Sequence, residues 1–492
     1  MKNIKFQLTT ENFSFPRNPI FYVFIISILY WIYLSLTTTM VINFDAANYQ
    51  REGRYLFEEG LVSFFKYTVH EIFYPFLIAT AMRIADFFSL SSHFMIQKWI
   101  QICFLFMTQF LLCKILTLLN IKQGLKVLIL LYCGFSPALV NMTFSSFREV
   151  TSFPLTLGIV LISYYSWKTI QQGKIYRALL FGVLSALLFA CISLILEAYQ
   201  FIFIFFAVCY FCVLLIFIFQ KHRPRFLRCA AFLIAFFLSY NLILLPYHSL
   251  ARKYRTDLVL SKGIAPFYGG AFARSQELST EQLLSFFAYV AGENVVKKFF
   301  GEKAFQFWWD EQYQYGVDLE MELEAQKLSP KEIRQVFYKR IIESIMHNPF
   351  QYVLLTAAEG MKMLFWESTR IGFVVYPPWL DKIFNLIFLK NALRLLIFLM
   401  TFFALVWSIV DLYRNATNIY FDRHQTTNNT RYVILLFCLS VIIFNIVVYA
   451  PFIIVTRYAL PLAPVYLILI AFCLQKFIFE KTDLSEMKSI KE

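Results

Sequence analysis

The chain has 492 residues, of which 59% are hydrophobic, 19% aromatic and only 15% charged. A soluble domain usually carries about 25% charged and about 45–50% apolar residues. The apolar residues, 58 Phe among them, are concentrated in long blocks. This composition excludes a soluble globular enzyme, a disordered chain and a disulfide scaffold, and it indicates a polytopic membrane protein.

Forty-five Lys and Arg against 31 Asp and Glu leave a net charge of +14, which in a soluble protein could indicate nucleic-acid binding. Here the cations cluster in short loops between apolar blocks, a pattern typical of topology signals. We therefore expect membrane lipids as partners and no nucleic acid. The nine cysteines lie in or against apolar blocks, so we expect neither disulfides nor a cysteine metal site.

Ten apolar blocks are long enough to cross a bilayer, which takes about 20 helical residues. The first, at 20–42, is too long for a signal-peptide core and lacks a small-residue cleavage site, so we expect it to be retained. The segment 73–90 is apolar but short, and Arg83 and Asp86 interrupt it. The other blocks lie near 98–118, 124–143, 150–167, 177–196, 199–219, 226–247, 391–412, 431–449 and 458–478.

The loop charges decide whether 73–90 crosses, because Lys and Arg concentrate on the cytoplasmic side. If it does not cross, every basic loop, including the dense run at 221–228, lies inside together with both termini. If it did cross, the pattern would invert from there on. We therefore predict an all-α polytopic membrane protein with about ten transmembrane helices, outer juxtamembrane helices including 73–90 (juxtamembrane or re-entrant), and a mostly helical extracytoplasmic segment.

This topology divides the chain into three parts. An N-terminal membrane module at 1–247 holds seven spans and a first outer loop at 43–97. An extracytoplasmic segment occupies 248–390, and a C-terminal membrane module with three spans occupies 391–492. Within the middle segment, Ser329-Pro330-Lys331-Glu332 predicts a capping box at a helix start. Residues 350–366 are typical of an interfacial helix.

Ionisable residues gather at the predicted outer lip of the spans. Asp45 directly follows the first span, where partial desolvation gives a carboxylate useful base strength. Arg148-Glu149 precedes the fourth span, and Glu197 ends the fifth. His70 lies in the first outer loop. Ionisable groups at membrane depth are costly and often functional, although each of these is also compatible with an ordinary capping or interfacial charge.

Arg457 lies at the outer lip of the last span, next to Tyr458. The positive-inside bias disfavours a cation there. Its guanidinium could hold a phosphate or pyrophosphate by forked hydrogen bonds, or it could simply snorkel to the interface. The chain has no Walker A loop, G-x-G-x-x-G, H-E-x-x-H or G-x-S-x-G motif, so an ATP-driven pump, a zinc protease and a serine hydrolase are unsupported.

Five short motifs, spread over nearly the whole chain and all on the predicted outer side, resemble those of GT-C-type glycosyltransferases. The most similar branch is the bacterial one of protein O-mannosyltransferases and lipid A aminoarabinose transferases. The motifs are Asp45-Ala46-Ala47-Asn48-Tyr49, Tyr74-Pro75-Phe76-Leu77-Ile78-Ala79, Phe135-Ser136-Pro137 leading to Arg148-Glu149, Asn348-Pro349-Phe350-Gln351-Tyr352, and Arg457-Tyr458 followed by Pro461 and Pro464.

The resemblance implies transfer of a sugar, with inversion, from a polyprenyl phosphate to a lipid, glycan or protein acceptor at the outer face of a bacterial inner membrane. Asp45 would be the general base, and Glu149 would position the acceptor or assist Asp45. Arg457, with His70, would neutralise the lipid phosphate. Residues that would contact the acceptor or support the site are Tyr49, Arg148, Glu197 and Tyr458.

The resemblance leaves a divalent cation open, since some GT-C enzymes hold one between two acidic loops and others use basic residues alone. The second acidic motif here is Arg-Glu and not an Asp pair, so we expect no obligatory metal. A transporter or lipid flippase remains an alternative, although no internal repeat supports it. A glycan polymerase or ligase is the other, and it would place several Arg and His in a large outer loop.

Overall fold

A computed structural model describes residues 18–68, 71–254, 264–291, 293–301, 309–368, 372–421 and 426–480. Within these ranges nine helices are long and apolar enough to cross a membrane, and a bent pair of helices makes a tenth span if it is counted as one. This confirms the prediction of a helical polytopic membrane protein with about ten spans.

The first half of the chain contains eleven helices among the described residues. They are α1 (Pro19–Thr37), α2 (Asp45–Glu58), α3 (Leu61–Tyr67), α4 (Phe73–Phe87), α5 (Phe94–Leu118), α6 (Gln123–Phe135), α7 (Pro137–Thr143), α8 (Glu149–Gln172), α9 (Ile175–Ser193), α10 (Gln200–Phe219) and α11 (Arg223–Tyr254). Helix α4 forms most of the ambiguous segment 73–90, and with 15 residues it is not among the candidate spans.

The second half holds seven further helices between the membrane modules, which we call the insert helices, and then three spanning helices. The insert helices are α12 (Ile264–Ser275), α13 (Thr280–Ala291), α14 (Glu293–Phe300), α15 (Trp309–Ala325), α16 (Pro330–His347), α17 (Pro349–Gly360) and α18 (Pro378–Phe384). The spanning helices are α19 (Ile387–Phe421), α20 (Thr426–Tyr449) and α21 (Ala463–Gln475), the last preceded by a 3₁₀ turn at Thr456–Leu462.

The first span is shorter than the predicted 20–42, because α1 ends at Thr37. The chain then forms a two-residue strand, β1 (Thr39–Met40), which pairs antiparallel with β2 (Val374–Val375). The buried ammonium of Lys98 donates to two carbonyl oxygens at the end of α1 that no longer have a helical partner. The strand pair connects the segment after the first span to the segment before α18.

The predicted span at 124–143 is bent by 46° between α6 and α7. Pro137 has no N–H to continue the helical ladder, and the Ser136 hydroxyl caps the start of α7. At the break, the carboxylate of Glu367 accepts hydrogen bonds from the Ser136 hydroxyl at 2.7 Å and the Ala138 N–H at 3.1 Å. A buried carboxylate from the far half of the chain thus stabilises the bend.

Glu367 should make stability depend on pH. Burial raises its pKa to about 7, against the opposing effect of hydrogen bonds from Tyr132, Ser136 and Ala138. The unfolded carboxyl has a pKa of about 4.3, so the folded state binds this proton more tightly, and its contribution to stability is lost as pH rises from about 4.5 through 7. The free energy of unfolding of wild type should therefore fall over this pH range, and we expect Glu367→Gln to remove up to about 3 kcal/mol of that decrease. The pH dependence is measured from the melting temperatures of wild type and Glu367→Gln between pH 4.5 and 7.5. Parallel profiles for the two proteins would contradict the role of Glu367.

The insert helices match the sequence pattern at α16, where Ser329 and Glu332 form the predicted capping box. The predicted interfacial helix at 350–366 ends earlier, because α17 stops at Gly360 and two short 3₁₀ turns follow. Trp366 is fully buried, and its indole N–H donates to the Thr401 hydroxyl of α19 at 3.1 Å. This end of the segment is therefore packed into the protein core.

Helix α8 and the last span lie at the centre of the bundle. The apolar window of the last span is 89% buried and that of α8 is 67% buried, against 28% for α1. Helix α8 begins at Glu149, and the last span begins at Arg457. The starts of the two central helices therefore carry two of the residues that the sequence marks for function.

Candidate functional site

Three segments that are distant in sequence meet at one end of the central helices. The Arg457 guanidinium contacts the carboxylate of Asp45 through Nη2, and its Nε lies 3.6 Å from Glu149 Oε1. The side chains are exposed to different extents: 33% for Asp45, 20% for Arg457 and 2% for Glu149. The structure thus brings the three principal predicted residues together, with Asp45 the most accessible and Glu149 at the base.

Asp45 is the first residue of α2, where the partial positive charge of the helix N-terminus favours a carboxylate. The preceding residue, Phe44, has φ of +52°, a backbone conformation that is unusual for a non-glycine residue. Such backbone strain is often found at functional sites. This turn leads the chain from β1 into α2 and directs Asp45 towards the central helices.

Two aromatic rings lie close to the Arg457 guanidinium. Its Cζ atom lies 5.1 Å from the centre of the Phe147 ring and 5.7 Å from that of Tyr458, both within the range of cation–π attraction. Phe147 packs edge-to-face on Phe373, and Tyr458 stacks on Tyr449. The sequence predicted a supporting role for Tyr458, whereas Phe147 was missed although it lies beside Arg148-Glu149.

A second ion pair adjoins the first. Arg148 contacts Glu71 through Nη1, which also donates to the carbonyl of Ile195 at 3.1 Å, and its guanidinium lies over the Tyr49 ring at 5.7 Å. Burial lowers the pKa of Arg148, but Tyr49, Glu71 and Glu149 together raise it above its usual value, so the side chain stays charged. For Tyr49, burial raises the pKa, whereas the charge of Arg148 lowers it. Burial has the larger effect, so the phenol stays neutral.

Two predicted residues cannot be placed. His70 lies outside the described residues, as does the side chain of Glu197, whose backbone begins a 3₁₀ turn at Glu197–Tyr199. The neighbour of His70, Glu71, is the partner of Arg148. Sequence spacing gives no sign of that pairing.

A layer of hydrogen-bonded side chains fixes α2 against α5 and the turn before α8. The Gln50 amide donates to Gln97 Oε1 and to the Ser146 hydroxyl, both at 2.8 Å. Gln97 in turn donates to the Tyr74 oxygen at 3.1 Å, and the Tyr74 ring packs edge-to-face on Tyr49. Because Gln50 lies on the same helix as Asp45, and Ser146 on the same turn as Arg148, this layer fixes the spacing of the two ion pairs.

The site has unused capacity for polar contacts. Glu149 Oε2 and the Nε atoms of Arg148 and Arg457 are buried and make no hydrogen bond within the part of the chain that the structure describes. Leaving buried polar atoms unpaired is costly, so they are common where a ligand or water supplies the missing partner. These atoms lie on the same side chains that the sequence predicted to bind substrate.

The loop 450–455, which leads to Arg457, is held by a buried arginine. Arg274 of α12 is fully buried, and its Nη1 donates to the carbonyls of Ala450 at 2.7 Å and Pro451 at 3.4 Å, while Nη2 donates to the carbonyl of Phe452. Burial lowers the pKa of Arg274. Gly270 lets the loop approach, since a Cβ there would lie 3.3 Å from the Pro451 oxygen.

A buried ion pair holds the other half of this loop. Glu359 Oε1 accepts from the backbone N–H of Ile454 at 2.9 Å and from the Lys362 ammonium at 2.8 Å. Both side chains are almost fully buried, and burial lowers the pKa of Lys362. Sequence reasoning missed this pair and Arg274. The one available signal was the occurrence of Glu359 and Lys362 three residues apart in an apolar stretch.

A divalent cation does not fit the described arrangement. Asp45 and Glu149 face the same guanidinium, so a cation held between them would have to displace Arg457 from both. Elsewhere among the described residues, no three His, Cys, Asp or Glu side chains are grouped to hold a metal.

Two comparisons with known proteins were negative. No protein-family model matches the chain, and no curated protein is significantly similar to it. The assignment of function therefore depends on the chemistry of this site and on the resemblance of its short motifs.

Proposed function

We propose that the protein is a membrane glycosyltransferase of the GT-C type. It moves a sugar from a polyprenyl phosphate, with inversion, to a lipid, glycan or protein acceptor at the outer face of a bacterial inner membrane. The observation that carries the proposal is the contact between the Asp45 carboxylate and the Arg457 guanidinium, beside buried Glu149 at the membrane-surface end of the two central helices.

The proposed reaction needs a base and a fixed cation. The acceptor oxygen attacks the anomeric carbon from the face opposite the phosphate, and the bond from that carbon to the phosphate oxygen breaks. The acceptor proton passes to Asp45, and the bonding electron pair leaves with the phosphate. Arg457, held by Phe147 and Tyr458, stabilises the charge that develops on the phosphate.

The contact between Arg457 and Asp45 couples the two roles. A donor phosphate has to compete with Asp45 for the guanidinium, because Nη2 contacts that carboxylate. Once the phosphate binds Arg457, Asp45 is released to accept the acceptor proton. The Glu149 side chain, whose Oε1 lies 3.6 Å from Nε, holds the guanidinium in place during the exchange. This sequence of contacts favours binding of the donor before the acceptor.

A flippase has one supporting observation, the bent span formed by α6 and α7, because broken helices are typical of transporter binding sites. The carboxylate at that break, Glu367, already accepts three hydrogen bonds, from Tyr132, Ser136 and Ala138. The break is therefore better explained as structural, and the proposal remains an enzyme.

The test uses membranes that contain wild type, Asp45→Asn or the control Asp318→Asn, which neutralises an exposed carboxylate on α15. Each is incubated with radiolabelled polyprenyl-phosphate sugars in the presence of cell-envelope extract as the acceptor source, and loss of label from the lipid is measured. We expect wild type and the control to consume one donor and Asp45→Asn to consume none at equal protein level. Consumption of no donor would contradict the transferase, and consumption by Asp45→Asn would contradict the role of Asp45.

A further inference from the structure

The end of the bundle opposite the candidate site contains a cleft of about 360 Å³. It lies where the turn from α8 to α9 meets the start of α11. Helix α8 connects the two places, since it starts at Glu149 and its 24 residues span about 36 Å. A bilayer has a hydrocarbon core of about 30 Å. The cleft therefore lies at headgroup depth on the membrane surface opposite the site.

The surroundings of the cleft are strongly basic. The two turns, 166–180 and 219–230, contain no Asp or Glu. Two of the cations that line the cleft, Lys174 and Arg223, have exposed side chains. The cationic residues of the two turns are Lys168, Lys174, Arg177, Lys221, Arg223, Arg225 and Arg228.

A third lining cation, Arg228, is bound to the C-terminal end of α8. Its guanidinium donates to the carbonyls of Ile170 at 2.8 Å, Gln171 at 2.9 Å and Gly173 at 3.0 Å, at the C-terminal end of α8. The negative end of that helix is thus neutralised. Helices α9 and α11 begin at the cleft and add the positive ends of their dipoles to the charges of the lysine and arginine.

The rest of the cleft lining is apolar. Ile175, Pro224 and Leu227 line it together with the cations, and Ile175 and Leu227 are 48% and 43% exposed. A free phosphate would gain nothing from these side chains. A phospholipid would gain from both parts, because its phosphate is anionic and its glycerol and acyl chains are apolar. Basic pockets between transmembrane helices are suited to such headgroups.

We propose that this cleft binds an anionic phospholipid, with Lys174 and Arg223 on the phosphate and the apolar side chains against the glycerol and the first acyl carbons. The proposal is independent of the glycosyltransferase assignment, because it depends on residues at the other end of α8. It gives the bundle a specific lipid contact at the junction of α8, α9 and α11.

Native mass spectrometry of the full-length protein in detergent, titrated with phosphatidylglycerol or phosphatidylcholine, tests this. We expect wild type to retain phosphatidylglycerol preferentially. Lys174→Gln/Arg223→Gln should weaken that binding about 30-fold, since each Lys or Arg contributes about 1 kcal/mol to binding an anionic lipid. The matched control, Arg252→Gln/Lys253→Gln, removes two exposed charges from the other end of α11 and should leave it unchanged.

Three results would overturn the proposal. Equal losses in the two double variants would indicate diffuse attraction to a basic surface. Competition by glycerol phosphate at the concentration of the lipid would indicate a phosphate site only. A Leu227→Asn variant, which keeps every charge, should also bind phosphatidylglycerol less tightly. Wild-type affinity of this variant would contradict the role of the apolar side chains. Lys174→Gln alone gives the same test if the double variant does not fold.

Discussion

Replacing Arg457 with glutamine is expected to lower kcat/KM for the polyprenyl-phosphate donor about 1,000-fold. The guanidinium contacts Asp45 and lies beside Glu149, so its loss removes the cation that would stabilise the leaving phosphate. Arg457→Lys keeps the charge but cannot form a forked contact. Its kcat/KM should therefore lie between those of wild type and Arg457→Gln. Arg334→Gln, an exposed arginine on α16, is the matched control and should leave the rate unchanged.

The pairing of Arg457 with Asp45 makes the prediction more specific. Since Asp45 competes with the donor phosphate for the guanidinium, Asp45→Asn should bind the radiolabelled donor between about two- and fivefold more tightly while abolishing turnover. In the Arg457→Gln background the same change should cost far less activity than in wild type, because the two residues act as a unit. Additive losses, or weaker donor binding by Asp45→Asn, would contradict the coupling.

The sequence predicted much of this arrangement because a membrane restricts each span to one of two orientations. Once hydropathy and loop charge assign each span a direction, Asp45, Glu149 and Arg457 must lie at the same surface. The capping box at Ser329 was also predicted, because it depends only on residues within one helical turn. Lateral neighbours are different: nothing in the sequence says that the start of α2 lies against the starts of α8 and of the last span.

Three of the residues that sequence reasoning missed share a physical cause. Arg274 and Glu359 bind backbone carbonyls and an N–H of loop 450–455, and Glu367 caps the break before α7. Backbone groups are present at every position, so such pairings leave no complementary side chain to recognise. The early end of α1 has the same origin, because the Lys98 ammonium and the pairing of Thr39 with Val375 take over its polar groups.

Loss of the Arg274 guanidinium should disable the site from a distance. Arg274→Met would leave the carbonyls of loop 450–455 buried and unpaired, and should lower the free energy of unfolding by about 3 kcal/mol. The same loop positions Arg457, so kcat should fall about 100-fold, the order expected for misplacing a group by about 1 Å. Arg274→Lys, which keeps the charge and some donors, should recover part of both.

Comparing activity with stability separates positioning from folding. The kcat of Arg274→Met is measured well below its own melting temperature, where the folded fraction is complete, and donor binding is measured alongside. A positioning role predicts that kcat stays low there, while Arg334→Met on the exposed face of α16 behaves as wild type. If kcat recovers fully once the variant is folded, Arg274 stabilises the fold without aligning Arg457. A persistent loss means that the insert helices set the geometry of the site through the loop they hold.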